Sequence, residues 1–182
     1  MEFSKKTREL SIKKMQERTL DLLIIGGGIT GAGVALQAAA SGLETGLIEM
    51  QDFAEGTSSR STKLVHGGLR YLKQFDVEVV SDTVSERAVV QQIAPHIPKP
   101  DPMLLPVYDE DGATFSLFRL KVAMDLYDLL AGVNNTPAAN KVLSKEEVLE
   151  REPELKKEGL VGGGVYLDFR NNDARLVIEN IK

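Results

Sequence analysis

Apolar positions along this chain change period several times, and each change predicts an element. Leu22 to Ile25 form a short continuous apolar run that reads as a buried strand, ending at Gly26-x-Gly28-x-x-Gly31, where a helix must begin. Ala32 to Ala40 are rich in alanine with few β-branched residues and stop near Gly42, so they read as that helix. Thr45 to Ile48 read as a second strand. Ahead of this unit, Phe3, Leu10, Met15 and Leu20 are spaced among Lys and Glu, as on a charged surface helix.

Beyond it, Val77, Val80, Val84 and Ala88 follow helical spacing, with Glu78, Asp82, Glu86 and Arg87 between them, and predict a helix from Val77 to Ala94 lying on a core. Five of the seven prolines fall between Pro95 and Pro106, which excludes helix and predicts an extended crossover. Phe115, Phe118, Val122, Leu126 and Leu129/Leu130 predict a helix over 115–131. Ser144 and Glu147 form a capping box for a short helix limited by Pro153. Gly162 to Gly164 read as a turn before the strand-like Val165 to Phe169, and another helix begins near Asp173. The expected segments are an N-terminal helix (1–18), a βαβ unit with its following loop (19–75), a helical and crossover segment (76–160) and the start of a further part (161–182).

The first strand, the glycines and the second strand together spell a dinucleotide-binding βαβ unit. Gly26 permits the tight turn, Gly28 lets the backbone approach a pyrophosphate, and Gly31 lets helix and strand pack closely. The pyrophosphate then meets the N–H groups and positive dipole end of the helix. Glu49, at the end of the second strand, can accept hydrogen bonds from both ribose hydroxyls and would repel a 2′-phosphate, which disfavours NADP. The bland alternative is a structural turn with an incidental Glu.

Composition narrows the class. A chain of 182 residues, 42% hydrophobic and 27% charged, suits a globular domain with one ordinary core. A net charge of -5 argues against nonspecific nucleic-acid or anionic-lipid binding. There is no cysteine and only two histidines, so thiolate chemistry is absent and a His-built metal centre is not expected. Residues 1–18 lack a signal-peptide core and no apolar run reaches membrane-spanning length, so the expectation is a cytoplasmic protein without a stable membrane anchor.

Residues 57–73 carry Arg60, Lys63, Arg70 and Lys73 and no acid, in a chain whose other residues hold 18 basic against 27 acidic side chains. The hydroxyls of Thr57, Ser58, Ser59, Ser61 and Thr62 stand among these cations, and Gly56, Gly67 and Gly68 allow close backbone approach, the mixture that binds phosphate or carbonyl oxygens. The alternative is a Ser-rich surface loop whose cations pair with acids elsewhere. His66 is a hydrogen-bonded structural residue, a side chain that donates to a flavin carbonyl or takes a proton, or a point of covalent attachment to a flavin. His96, within the prolines, reads as structural.

These blocks resemble the FAD-dependent glycerol-3-phosphate dehydrogenase and oxidase family. The marks are Ile25-Gly-Gly-Gly-Ile-Thr-Gly-Ala-Gly33, the highly specific Gly56-Thr-Ser-Ser-Arg-Ser-Thr-Lys-Leu-Val-His-Gly-Gly-Leu-Arg-Tyr71, and Glu86-Arg87, Ala94-Pro-His96 and Asp173-Ala-Arg-Leu176. The resemblance implies an α/β, Rossmann-like FAD-binding fold of the glutathione-reductase and D-amino-acid-oxidase kind, with helical and proline-rich insertions. It implies noncovalent FAD on Gly26, Gly28, Ile29, Thr30, Gly31, Glu49 and Met50, with Thr57, Ser58, Ser59, Ser61, Thr62, Lys63 and His66 on the flavin side. Arg70 and Tyr71 would bind substrate, and His66 is the catalytic candidate with the main base unassigned.

The reaction so implied moves hydride from C2 of sn-glycerol 3-phosphate to flavin N5, yields dihydroxyacetone phosphate, and reduces O2 to H2O2. The family signature expects an acid and an arginine where this chain has Ala35-Leu-Gln37 and Ser41-Gly42, which by association favours the oxidase branch over the quinone-reducing, membrane-associated one. A nicotinamide-dependent enzyme and a noncatalytic nucleotide-binding module are the competing classes, and a homo-oligomer is compatible with all three. Only two parallel strands are clearly encoded and the chain stops at Asn180-Ile-Lys182 inside the last helix, so an N-terminal piece with bare apolar faces is expected.

Overall fold

A computed structural model describes residues 4–74, 76–110 and 116–182. In chain order the elements are α1 (Lys5–Glu17), β1 (Leu22–Ile25), α2 (Ile29–Ala40), β2 (Thr45–Ile48), β3 (Leu64–Val65), α3 (Val77–Ile93), β4 (Lys99–Tyr108), α4 (Leu117–Leu130), β5 (Lys141–Leu143), α5 (Lys145–Arg151), β6 (Leu160–Arg170) and α6 (Asp173–Ile181). Short 3-10 turns occupy Thr57–Ser59 and Leu69–Gln74. The chain divides into two compact units, one formed by residues up to Lys63 with Asn171–Lys182, the other by Leu64–Arg170.

In the first unit, Ser4 and Thr7 cap α1 reciprocally: the Ser4 hydroxyl accepts the Thr7 N–H and the Thr7 hydroxyl accepts the Ser4 N–H. α1 buries no residue, and Phe3 of the expected surface helix lies outside the described residues. β1 and β2 pair parallel, from Leu22 opposite Thr45 to Ile25 opposite Ile48. α2 supplies the connection between them, as parallel pairing requires. Its alanines bring it close to α6, with Ala32, Ala54 and Val177 buried between them. A two-stranded parallel sheet cannot cover itself, and Leu23, Ile25, Leu36 and Ile48 remain exposed.

The second unit is built on β6, which pairs antiparallel with β4 along one edge and with β3 and β5 along the other. α3 and α4 pack Val80, Val84, Leu120, Met124 and Tyr127 into one core, and α5 closes a smaller one with Val148, Leu143 and Leu160. The Ser144/Glu147 capping box starts α5, and Glu152, just before Pro153, ends it.

Four expectations are corrected here. The proline-rich stretch is the ten-residue strand β4 rather than a crossover. Pro100, Pro102 and Pro106 share one parity, so their missing N–H groups all fall on the edge away from β6 and the odd-numbered residues carry the ladder. Gly162 to Gly164 are not a turn but the middle of β6. They are there for space: a Cβ at Gly163 would lie 2.9 Å from the Leu105 carbonyl oxygen, and one at Gly164 2.6 Å from Met124 Sδ.

On α4 the buried face is Leu120, Ala123, Met124 and Tyr127, while Phe118, Val122 and Leu129 point outward, Phe118 at 77% exposure. Two apolar stripes share this helix, and the one carrying Phe118, Val122 and Leu129 is the solvent face; Phe115 lies outside the described residues. On α3, Val80 and Val84 are buried, but Arg87 is buried where Ala88 was expected to be. The cause is a charged partner in β6, described below.

Candidate functional site

Gly26 leaves β1 at φ +113°, a conformation L side chains rarely adopt, and its N–H donates to the Ile48 carbonyl at 2.8 Å. The turn thus hangs from the end of β2. At the far side of the turn, a Cβ on Gly31 would lie 1.9 Å from the Gly26 carbonyl oxygen, so no other residue fits there while the helix stays in place. Gly28 caps α2 with no side chain of its own, and α2 has no acid in its first turn. The Ile29 N–H donates to the Ser58 hydroxyl at 2.9 Å, and a Cβ on Gly28 would sit 2.9 Å from the same oxygen. Among the described residues, the side chain bonded to this positive helix end is the neutral, rotatable Ser58 hydroxyl.

Glu49 completes the turn. Its carboxylate accepts the Gly27 N–H at 2.8 Å and the Gln51 N–H at 3.0 Å. The Gly27 bond, and next the Gln51 bond, hold the carboxyl below its ordinary pKa, so it is ionised at neutral pH. Gly27, which carries no role in the fingerprint reading, is needed because a Cβ there would meet the Phe53 ring at 2.4 Å. Ile29, Thr30 and Met50 are exposed beside these groups. Glycines without Cβ atoms, a helix N-terminus and an ionised acceptor at the second strand end fit a dinucleotide's pyrophosphate and ribose.

The Thr57–Lys63 loop proves less cationic than its composition. The Arg60 guanidinium lies 3.7 Å from Glu55 in an exposed pair. Lys63, at φ +63°, donates to Asp173 at 3.0 Å and also to the Ser59 carbonyl, while the Ser61 hydroxyl donates to the same carboxylate oxygen at 2.6 Å. Burial opposes ionisation of Asp173, but bonds from Ser61, Lys63 and Asn171 outweigh it and hold the carboxyl below its ordinary range. Two of the four cations thus have acidic partners, and Asp173, at the start of α6, is a loop anchor that the spacing does not announce. The Ser59 hydroxyl is buried without a partner, and Thr62 is exposed.

In the second unit His66 and Arg70 are exposed. The Arg70 guanidinium stands 5.2 Å from the centre of the Tyr71 ring and donates to its hydroxyl at 3.4 Å. Among the described residues no carboxylate pairs with Arg70; the Lys73 side chain lies outside them. Beneath this stretch lies a group that periodicity does not reveal. Arg87 Nη1 donates to Asp168 at 2.8 Å and to the Tyr127 hydroxyl at 2.7 Å, and that hydroxyl also accepts the Gly67 N–H at 3.0 Å. Among the described residues, no cluster of His, Cys, Asp and Glu suits a metal ion and no helix is long and apolar enough to cross a membrane.

Comparison with known proteins agrees with the turn. The chain is 97% identical over all 182 residues to alpha-glycerophosphate oxidase of Streptococcus pneumoniae and 91% identical to that of Streptococcus pyogenes, in each case covering all of this chain and 30% of the relative. It therefore spans about a third of the length of these relatives. Among solved structures, glycerol-3-phosphate dehydrogenase from Bacillus halodurans, complexed with FAD, matches 99% of this chain and 27% of its own at 42% identity and a TM-score of 0.67. The family described as FAD dependent oxidoreductase matches residues 21–182, from the first strand through the last helix, and the chain belongs to that family.

Proposed function

We propose that the protein carrying this chain oxidises sn-glycerol 3-phosphate to dihydroxyacetone phosphate and reduces O2 to H2O2. The observation that supports it most is the glycine turn tied to an ionised Glu49, in a chain 97% identical to an alpha-glycerophosphate oxidase. When bound, FAD would supply the two-electron acceptor for the hydride that leaves C2 of the substrate, with O2 as the final acceptor.

The chain's own residues bind and orient. Glu49 offers the lone pairs not used by Gly27 and Gln51 to the ribose hydroxyls, and the first turn of α2 offers its N–H groups to the pyrophosphate, with Ser58 giving up the Ile29 N–H or adding its own hydroxyl. Arg70, free of carboxylates among the described residues, presents a planar fork suited to substrate oxygens, with Tyr71 holding its orientation. His66, exposed in the same segment as Arg70, is the candidate to take the proton of the substrate hydroxyl.

The 42% identical neighbour is a dehydrogenase, which favours one second reading: the same oxidation with electrons passed to another acceptor. Supplying glycerol 3-phosphate to the full-length protein and recording oxygen uptake and peroxide separates the two. Stoichiometric uptake supports the oxidase. Bleaching of the flavin band near 450 nm with dye reduction but no oxygen uptake supports the dehydrogenase, and no flavin at all defeats both.

A further inference from the structure

The second unit holds a buried ion pair that the proposed chemistry leaves unused. Arg87 and Asp168 are both almost fully buried and meet at 2.8 Å. Such a pair is weak evidence for stability, because well-packed apolar residues in its place are often as stable or more so. Its geometry is nevertheless tightly specified. Arg87 Nη1 reaches Asp168, the Tyr127 hydroxyl and the Leu167 carbonyl, and the guanidinium lies 5.4 Å from the Tyr127 ring centre and 4.6 Å from that of Phe169. Tyr127 is further fixed edge-on against Tyr166 at 5.6 Å. Burial drives the Tyr127 pKa well above the ordinary tyrosine value, so its hydroxyl stays neutral.

What this group holds is one peptide. The Tyr127 hydroxyl accepts the Gly67 N–H at 3.0 Å in a buried bond. A Cβ on Gly67 would lie 2.4 Å from that hydroxyl and 2.4 Å from Val84 Cγ2, so the backbone is in contact with α3 and α4. The Thr83 hydroxyl lies 2.9 Å from the Gly67 carbonyl and 2.7 Å from that of Val79, so its one proton is divided and the Tyr127 bond is the firmer tie. A trans peptide points its N–H and C=O in opposite directions. With the Gly67 N–H turned into the core, the His66 carbonyl faces away from Tyr127. The exposed His66 supplies the carbonyl of this pinned peptide, and the exposed Arg70 follows three residues after Gly67.

We propose that Arg87, Tyr127 and Asp168 are positioning residues that set the direction of the His66–Tyr71 segment through the Gly67 backbone. Arg87 and Asp168 fix Tyr127, and Tyr127 fixes Gly67. Its consequence for substrate rests on the functional reading above; the pinning itself does not.

The test uses the full-length protein with Tyr127→Phe, which removes only the hydroxyl, and Asp168→Asn, which loosens Arg87. Amide hydrogen exchange over 64–71 should quicken roughly tenfold in Tyr127→Phe, the loss expected for one buried hydrogen bond, while α4 keeps its protection. Unchanged protection overturns the pinning whatever the protein catalyses. With FAD retained, the KM for glycerol 3-phosphate should rise roughly tenfold and the flavin absorption bands should shift. In an Arg70→Lys background the Tyr127→Phe effect should shrink to about threefold or less, because both act through one segment. A lower melting temperature with unchanged KM, kcat and flavin spectrum, or effects that multiply in full with Arg70→Lys, would show a structural role only and overturn the positioning claim. A wild-type protein inert toward glycerol 3-phosphate defeats the functional reading, and the exchange arm still decides the pinning.

Discussion

The Gly27 N–H donates to the Glu49 carboxylate at 2.8 Å across 22 residues of sequence, so the glycine turn and the end of β2 are one bonded unit. Glu49 therefore holds the turn, and in the function proposed above its remaining lone pairs accept from a ribose. Glu49→Ala should weaken FAD binding about tenfold or more, as loss of bonds to a charged acceptor implies. Flavin-fluorescence titration of the full-length protein measures this, and an unchanged dissociation constant would remove Glu49 from the cofactor site.

The same residue makes a pH prediction. Its folded pKa is lowered by the Gly27 and Gln51 bonds, so its contribution is fully present above the ordinary value of 4.5 and is lost as pH falls through the folded value. The gap in urea midpoint between wild type and Glu49→Gln should be open at neutral pH and close as acidification protonates the carboxylate. A gap that widens toward low pH contradicts the sign.

Two glycines of α2, Gly31 and Gly33, should behave oppositely. At Gly31 an added Cβ would meet the Gly26 carbonyl oxygen at 1.9 Å, and backbone cannot step aside cheaply. Gly31→Ala should cost about 1–3 kcal/mol or more and release FAD, read from denaturation midpoint and flavin content. At Gly33 nothing lies within 4 Å, so Gly33→Ala should stabilise α2 by up to about 1 kcal/mol. Equal effects at the two positions would deny that Gly31 is there for close approach.

The first unit was legible because its signals are local. A glycine fingerprint, an alanine helix and an acidic strand end each act on neighbours a few residues away, and β1, α2 and β2 lie where those signals put them. The resemblance to FAD enzymes stands for the same reason, on contiguous blocks. The second unit hid what depends on distant partners. Pro100, Pro102 and Pro106 forbid a helix, but only pairing with β6 makes them an edge strand. Phe118 and Val122 look as suited to a core as Leu120 and Met124 until β6 chooses the face. Arg87 reads as a surface charge because Asp168, its partner, is 81 residues away. Likewise, the Ser-rich loop left open that its cations pair with acids elsewhere, as Arg60 and Lys63 do, but nothing local names Asp173, 110 residues away, as the partner of Lys63.

The three glycines inside β6 separate two kinds of close contact. A Cβ on Gly163 would meet the Leu105 carbonyl oxygen at 2.9 Å and Val148 at 3.0 Å, whereas one on Gly164 would meet the far end of Met124, at 2.6 and 2.7 Å. A methionine tail can repack, and a strand backbone cannot without breaking its ladder. Gly163→Ala should therefore destabilise more than Gly164→Ala, by about 1 kcal/mol or more in urea denaturation. The reverse order would mean that the buried thioether is the stiffer neighbour.

Arg70 carries the last prediction. It is exposed, has no carboxylate partner among the described residues, and is steadied by the Tyr71 ring at 5.2 Å and hydroxyl at 3.4 Å. Arg70→Lys keeps the charge but loses the planar fork that grips two oxygens together, and lysine stacks less well on Tyr71. If this fork holds the substrate, the KM for glycerol 3-phosphate rises about tenfold while FAD content stays near that of wild type. Steady-state oxygen uptake and the flavin absorbance of the purified full-length variant measure both quantities on one sample. Expulsion of FAD with substrate kinetics intact would assign Arg70 to the cofactor, and no change in either would return it to the surface.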